Sequence, residues 1–226
     1  RFIMKIKFPP KKKISEIKNF FKKKGLLSVL VNSRGKNLGV NELKSKEPYM
    51  PDLNDLYRLY QFVVLNKRTT ILEFGSGWSS LIFYLALSEL KSKFKKQVEK
   101  LRRNNPFELF ILENERKFLN ISKKRIKLFI KKNVFKEKSK INYNFSAVEM
   151  TTFNKMICTR YKKIPLCNPD FIYLDGPDQF NVKGNVSGIS TRHGDMMPMS
   201  SDILRMEYYY IPGTIIICDG RSANAK

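Results

Sequence analysis

The sequence predicts an α/β domain built on a parallel sheet covered on both faces. Three observations carry this expectation. The runs TTILEF, ELFILE, DFIYLDG and GTIIICDG are apolar without the polar alternation of a half-exposed strand. Stretches of helical periodicity separate them. The first run ends in a Gly-x-Gly turn that opens a helix. A chain of 226 residues suits one such domain with a modest extension, and not two full domains.

Residues 1–47 read as a basic leader. Within KKKISEIKNFFKKK (11–24), Ile14, Ile17, Phe20 and Phe21 recur at helical spacing, and Gly25 suits a C-cap. LLSVLV (26–31) is a short apolar run. Residues 48–226 then form the domain proper. PDLNDLYRLYQFVVLNK (51–67) has an acidic first turn and a basic end, both favourable to a helix. TTILEF is the first strand, GSG the turn, and WSSLIFYLALSELKSKFKKQVEKLRR an overlong or interrupted helix. ELFILE (108–113) is the second strand and leads into ERKFLNISKKRIKLFIKK. INYNFSAV (141–148) reads as a third strand, DFIYLDG (170–176) as a fourth and GTIIICDG (213–220) as a fifth. The helix SSDILRMEYYY (200–210) precedes the fifth, and Tyr208, Tyr209 and Tyr210 are expected to pack it on the sheet.

Composition narrows the class. Hydrophobic residues at 42% and charged residues at 28% fit a globular domain rather than a disordered or fibrous chain. The run IFYLAL (82–87) falls far short of the roughly 18–20 residues of a membrane span. The N-terminus is basic but lacks the apolar core of a signal peptide. Three cysteines without CxxC spacing, and a single histidine, argue against a disulfide framework or a structural zinc site. A reducing cytoplasm is therefore expected. The net charge of +24 has two readings. Spread over 5–24, 91–103, 116–140 and 155–163, it fits a lysine-rich compositional bias; it also fits a polyanion surface.

Chemistry concentrates in ILEFGSGWSS (71–80). Gly75 and Gly77 let the backbone turn sharply at a helix N-terminus. Such a turn alone also occurs without a ligand. A dinucleotide fingerprint would have its third glycine at position 80, where Ser80 stands, and Glu73 would repel a pyrophosphate. A ligand carrying an ammonium suits Glu73 better. Glu113 ends the next strand, where a carboxylate can accept two ribose hydroxyls. Glu115 is the competing acid there and is expected to point outward.

With ILEFGSG, FILENE, DFIYLDGPD and GTIIICDGR, residues 48–226 resemble the class I S-adenosylmethionine-dependent methyltransferases. The resemblance implies a Rossmann-like, doubly wound sheet in the order 3-2-1-4-5, with S-adenosylmethionine as cofactor. It places Glu73 and the Gly75–Gly77 backbone by the methionine moiety, Glu113 at the ribose and Ser146-Ala147 near adenine. Ser76, Trp78 and Asn114 complete the expected cofactor set. Trp78 walls that site or packs the helix start. Asp175 would stand beside the reactive methyl, serving both cofactor placement and catalysis; it could also simply cap its turn.

His193, in the loop GISTRHGDMMPMS, is a candidate base for an acceptor hydroxyl, and Arg192 and Arg221 could bind an anionic acceptor. Asp178 reads as turn chemistry. Asp175 and Asp219 occupy positions comparable to the acids of catechol O-methyltransferase-like enzymes, but Asp219-Gly220 replaces the expected Asp-Asn pair, and no metal is assigned.

The expected activity is methyl transfer to a small-molecule or saccharide hydroxyl. An RNA or DNA methyltransferase and a non-catalytic nucleotide-fold module are the alternatives. No Asn-Pro-Pro-Tyr-like motif supports base methylation, and neither Cys158 nor Cys167 lies in a nucleophile motif. The family usually ends in an antiparallel hairpin beside strand five. The chain starts with Arg and stops six residues after Gly220, so truncation is expected, with LLSVLV or a second subunit as alternative covers of that edge.

Overall fold

The computed structural model describes residues 5–36, 47–192 and 199–219. Helices α1 (Ile14–Lys23) and α2 (Leu27–Val31) precede α3 (Leu53–Leu65). Strand β1 (Thr70–Phe74), α4 (Trp78–Val98), β2 (Glu108–Glu113), α5 (Arg116–Lys132) and β3 (Lys140–Phe145) follow. Then come β4 (Val148–Phe153), β5 (Met156–Tyr161), β6 (Phe171–Leu174), β7 (Val182–Lys183), α6 (Asp202–Arg205) and β8 (Ile215–Cys218). Five strands form one parallel sheet in the order β3-β2-β1-β6-β8, and β5-β4-β7 form a second, smaller sheet.

Each central strand alternates between two cores although every residue of β1 is buried. Ile71, Leu109, Ile111, Phe171 and Tyr173 face the helices, in one cluster with residues of α1 to α5. Leu72, Phe74, Phe110, Leu112, Ile172 and Leu174 face the other way, against Val148, Tyr161 and Val182. Burial on both sides explains the unalternated apolar runs. The second face corrects the doubly wound expectation. The small sheet closes it, with Ile203, Met206 and Tyr210 packed alongside, where helices are expected.

The reason lies in the segment after β3. INYNFSAV does not run on as one strand: β3 ends at Phe145, and Val148 opens β4 in the other sheet. VEMTTF and MICTRY are rich in β-branched and aromatic residues, and Asn154 and Lys155 between them take φ +49° and +64°. Two left-handed residues make the tight turn whose twist matches a hairpin.

The leader's first helix and its Gly25 cap agree with expectation, while its second segment covers no sheet edge. LLSVLV, a candidate cover for the sheet edge, is a helix from Leu27, and among the described residues β8 pairs only with β6. Helix α1 ends in a left-handed Gly25 (φ +68°), with the Leu26 amide donating to the Phe21 carbonyl at 2.9 Å. Its Ile17 and Phe21 enter the same core as α3 and α4, so these residues belong to the packed body. Asp52 caps α3 by accepting from the Asn54 and Asp55 amides at 2.7 and 3.1 Å.

The 200–210 segment is only four residues of α-helix followed by a 3-10 turn over Glu207–Tyr209. Tyr208 and Tyr209 point to solvent, and only Tyr210 packs, its hydroxyl donating to the Ile203 carbonyl at 2.7 Å. At the amino ends of the strands, Asp170 accepts from the Thr69 and Thr70 amides at 2.9 Å and pairs with Arg103 at 3.3 Å. This clamp fixes β1 against β6, whose opposite ends carry the candidate site. Among the described residues, no helix is long and apolar enough to cross a membrane.

Candidate functional site

The order reversal of the sheet lies at β1, which pairs with β2 on one side and β6 on the other. Parallel sheets bind ligands at the carboxyl ends of such strands. Here those ends carry Glu73, the Gly75–Gly77 turn, Glu113 and Asp175.

Glu73 lies on the helix-facing side of β1 and is fully buried. Its Oε1 accepts from the Ser79 hydroxyl and its Oε2 from the Ser80 hydroxyl at 2.6 Å. The carboxyl thus ties the end of β1 to the first turn of α4. Burial pushes its pKa up to about 8, against the two serine hydrogen bonds and with help from the Asp175 and Glu113 charges. Glu113, 3% exposed, ends β2 on the same side. It accepts from the Ser76 hydroxyl at 2.7 Å and from the Asn114 and Glu115 amides at 2.8 and 2.9 Å. Burial raises it to about 7. Two buried acids with raised pKa values, Glu73 largely protonated and Glu113 about half protonated at neutral pH, therefore flank one glycine turn.

The turn itself is sterically fixed. Gly75 has φ +96°, and a Cβ there would meet the Gly176 nitrogen at 2.9 Å. Gly176 is as tight in return, with the Gly75 nitrogen 2.7 Å from its own hypothetical Cβ. Gly75→Ala is accordingly expected to cost at least about 2 kcal/mol, from left-handed strain added to the clash. Thermal unfolding measures it, and an unchanged Tm would refute the close approach. Gly77 is different. Its φ of −166° suits any residue, and a Cβ would meet only the Ser79 hydroxyl, at 3.7 Å. A Cβ at position 77 therefore has room.

Comparison with family models, with curated proteins and with solved structures finds no match. The site's chemistry therefore has to be read from its own residues.

Asn114 is buried and occupied with the chain after β6. Its side chain accepts from the Asp178 amide at 2.9 Å and donates to the Asp178 carbonyl at 3.0 Å. It holds the loop beside the site. Ser146 lies behind Glu113, its amide donating to the Glu113 carbonyl at 3.0 Å, and its hydroxyl accepts from the Lys163 amide at 2.9 Å. The Ala147 carbonyl takes the Lys162 amide at 2.9 Å. Both residues thus join the β3 end to the small sheet. Trp78 is half-buried against the helix core, and one ring face is covered by the Arg125 guanidinium, 3.5 Å from the ring centroid. Glu115 caps α5 through the Lys117 amide at 3.2 Å, and Asp178 caps its 3-10 turn through the Phe180 amide at 3.0 Å.

Asp175 is half-buried at the end of β6, with its amide donating to the Phe74 carbonyl at 2.9 Å. It lies close enough to Glu73 and Tyr173 for its charge to raise both pKa values. Arg192 Nε donates to the Val182 carbonyl at 2.8 Å, which pins the loop to β7. His193, Gly220 and Arg221 lie outside the described residues. Among the described residues, no group of three or more His, Cys, Asp or Glu side chains could hold a metal ion.

Arg125 is the residue that sequence reasoning misses. Burial lowers its pKa to about 10, and it has no hydrogen-bond or ion-pair partner among the described residues. It stands one turn from Ser122, whose hydroxyl lies 3.5 Å from the Gly77 carbonyl. A half-buried cation thus stacks on Trp78, the residue after Gly77. In ISKKRIK nothing marks Arg125 among its basic neighbours; only the α5–α4 packing does.

Proposed function

We propose that this protein binds S-adenosylmethionine at the carboxyl ends of β1, β2 and β6 and transfers its methyl group to a small-molecule or saccharide hydroxyl. The observation that carries this reading is the pair of buried acids, Glu73 and Glu113, on either side of a glycine turn that leads into a helix N-terminus. Buried carboxyls with raised pKa values suit a cationic ligand, whose charge compensates their ionisation.

The residues fit the cofactor unequally. Glu113 is the best placed, because rotation of Ser76 would free Oε2 for ribose hydroxyls. Gly77 offers the close backbone approach, and Arg125 offers a cation for the carboxylate end. Glu73 acts from behind, holding the turn through Ser79 and Ser80. When bound, the cofactor supplies a methyl already activated on a sulfonium. The chain's task is then to orient the acceptor and remove its proton. Asp175, at the mouth of β6, is the group to orient the acceptor hydroxyl and receive that proton. His193 is a second candidate for the proton.

Asp175→Asn should lower turnover at least tenfold while shifting Tm and cofactor affinity little. A variant with unchanged turnover would remove Asp175 from catalysis. One observation favours a nucleic-acid acceptor instead: α5 carries eight basic and no acidic residues. Release of methyl-transfer activity onto RNA or DNA, with a steep salt dependence, would identify that alternative.

A further inference from the structure

The carboxyl ends of β6 and β8 and the first turn of α3 bring together acids that the glycine turn does not use. In the sheet register, Tyr173 of β6 lies between Glu73 of β1 and Ile217 of β8. Two residues further on, Asp175 and Asp219 continue the helix-facing side of β6 and β8, and the Asp219 amide donates to the Leu174 carbonyl at 2.9 Å. Asp55 reaches the same edge from α3, close enough to Asp219 to feel its charge. We propose that this acidic mouth holds an ammonium group of the methyl acceptor, which narrows the acceptor to an amino alcohol or amino sugar and rests on the methyl-transfer reading.

Tyr173 is the side chain that points to a ligand there. It is only 5% exposed, and its ring is fixed edge-on against Phe83, with centroids 5.5 Å apart. No hydrogen bond engages its hydroxyl among the described residues, yet the oxygen is not sealed in the core and reaches solvent. Burial, then the charges of Asp175, Asp219, Glu73 and Asp55, push the phenol well above its ordinary range, so it stays protonated. A neutral phenol at the floor of an acidic mouth can accept from an ammonium or donate to an acceptor oxygen. Nearly buried polar groups without partners are uncommon and call for a cause. A bound amino alcohol supplies one.

Charge and spacing select the kind of cation. The chain carries 44 basic and 20 acidic residues, so a mouth of acids opposes the field of the rest of the surface and draws cations to this one edge. Asp219 has no ion-pair partner among the described residues, and Asp55 has only the exposed Arg58 at 3.7 Å. Partial desolvation, then the Asp52 and Asp219 charges, hold the Asp55 carboxyl above its ordinary range despite Arg58. An added positive charge relieves that repulsion. Among the described residues the acids nowhere converge closely enough to share a metal ion. An ammonium on a carbon frame, with several N–H donors, suits such dispersed acceptors. Asp175, at the same mouth, then meets the neighbouring hydroxyl.

Calorimetric titration of the full chain tests the proposal, with and without S-adenosylmethionine. The probes are glucosamine against glucose and 2-aminoethanol against ethylene glycol. Each amine is expected to bind at least tenfold more tightly than its neutral counterpart, and less tightly as salt rises. The double variant Asp55→Asn/Asp219→Asn should abolish most of that preference while Tm stays level or rises, because like charges are removed. Tyr173→Phe should weaken amine binding about threefold with Tm unchanged, since no folded-state hydrogen bond is lost. Equal affinity within both pairs, or binding of no probe, would overturn the proposal. So would variants that bind the amines as the parent does, or displacement of the amines by magnesium at equal concentration. Failure of S-adenosylmethionine alone to bind would instead refute the methyl-transfer reading, and the two failures are read in separate titrations.

Discussion

Glu73→Gln is expected to stabilise the protein at alkaline pH and to flatten the pH dependence of its stability. The Glu73 carboxyl is raised from its ordinary 4.5 to about 8 in the folded chain, chiefly by burial. Between these values the unfolded chain has lost the proton that the folded chain keeps, so stability falls as pH rises through this window. The loss is complete above about pH 8. The interval corresponds to about 5 kcal/mol as an upper bound, and a gain of about 2–4 kcal/mol at pH 8.5 is expected for the variant. At pH 5 the two proteins should differ little, since Gln reproduces the shape of the protonated acid and the two serine hydroxyls can turn to suit it. Glu113, raised to about 7, adds a slope of the same sign in both proteins over its own window. Denaturant titrations at pH 5, 7 and 8.5 measure the effect. Parallel pH profiles for parent and variant would show that Glu73 is ionised in the fold.

Glu113→Ala is expected to weaken S-adenosylmethionine binding by about 1–3 kcal/mol, the scale of hydrogen bonds to a charged group. The substitution also strands the Ser76 hydroxyl and the Asn114 and Glu115 amides, so part of its effect is structural. Glu113→Gln separates the two. It keeps the size and one acceptor but removes the charge, and should retain Tm while losing most of the affinity. A cationic ligand also favours the ionised acid, so cofactor binding at pH 7 should release a fraction of a proton that the Gln variant does not. Calorimetry in two buffers of different ionisation enthalpy reads that proton. Affinity and proton release unchanged in Glu113→Gln would remove Glu113 from the site.

The parallel sheet was legible because its strands are buried on both faces and therefore read as continuous apolar runs. ELFILE matches β2 at both ends. The acids at the carboxyl ends of β1 and β2 were legible because acids at the ends of apolar strands are conspicuous. What each acid does was not: the Ser79 and Ser80 bonds to Glu73 follow from the first turn of α4 folding back onto β1. Asn114 likewise reads as a cofactor contact until the 178–181 chain is seen to claim its amide. The small sheet was missed because VEMTTF-NK-MICTRY carries its signal in alternation and in a turn of Asn and Lys rather than Asn and Gly. LLSVLV misleads in the opposite direction. Its residues favour a strand, but packing of Leu26 and Leu30 beside Phe21 holds it helical.

Titration of the full 226-residue chain with S-adenosylmethionine at pH 7 decides whether these acids serve a cofactor. The expected result is saturable one-to-one binding accompanied by proton release, both strongly reduced in Glu113→Gln. A folded chain that yields no binding heat at millimolar cofactor, with Tm unmoved, would contradict the methyltransferase reading.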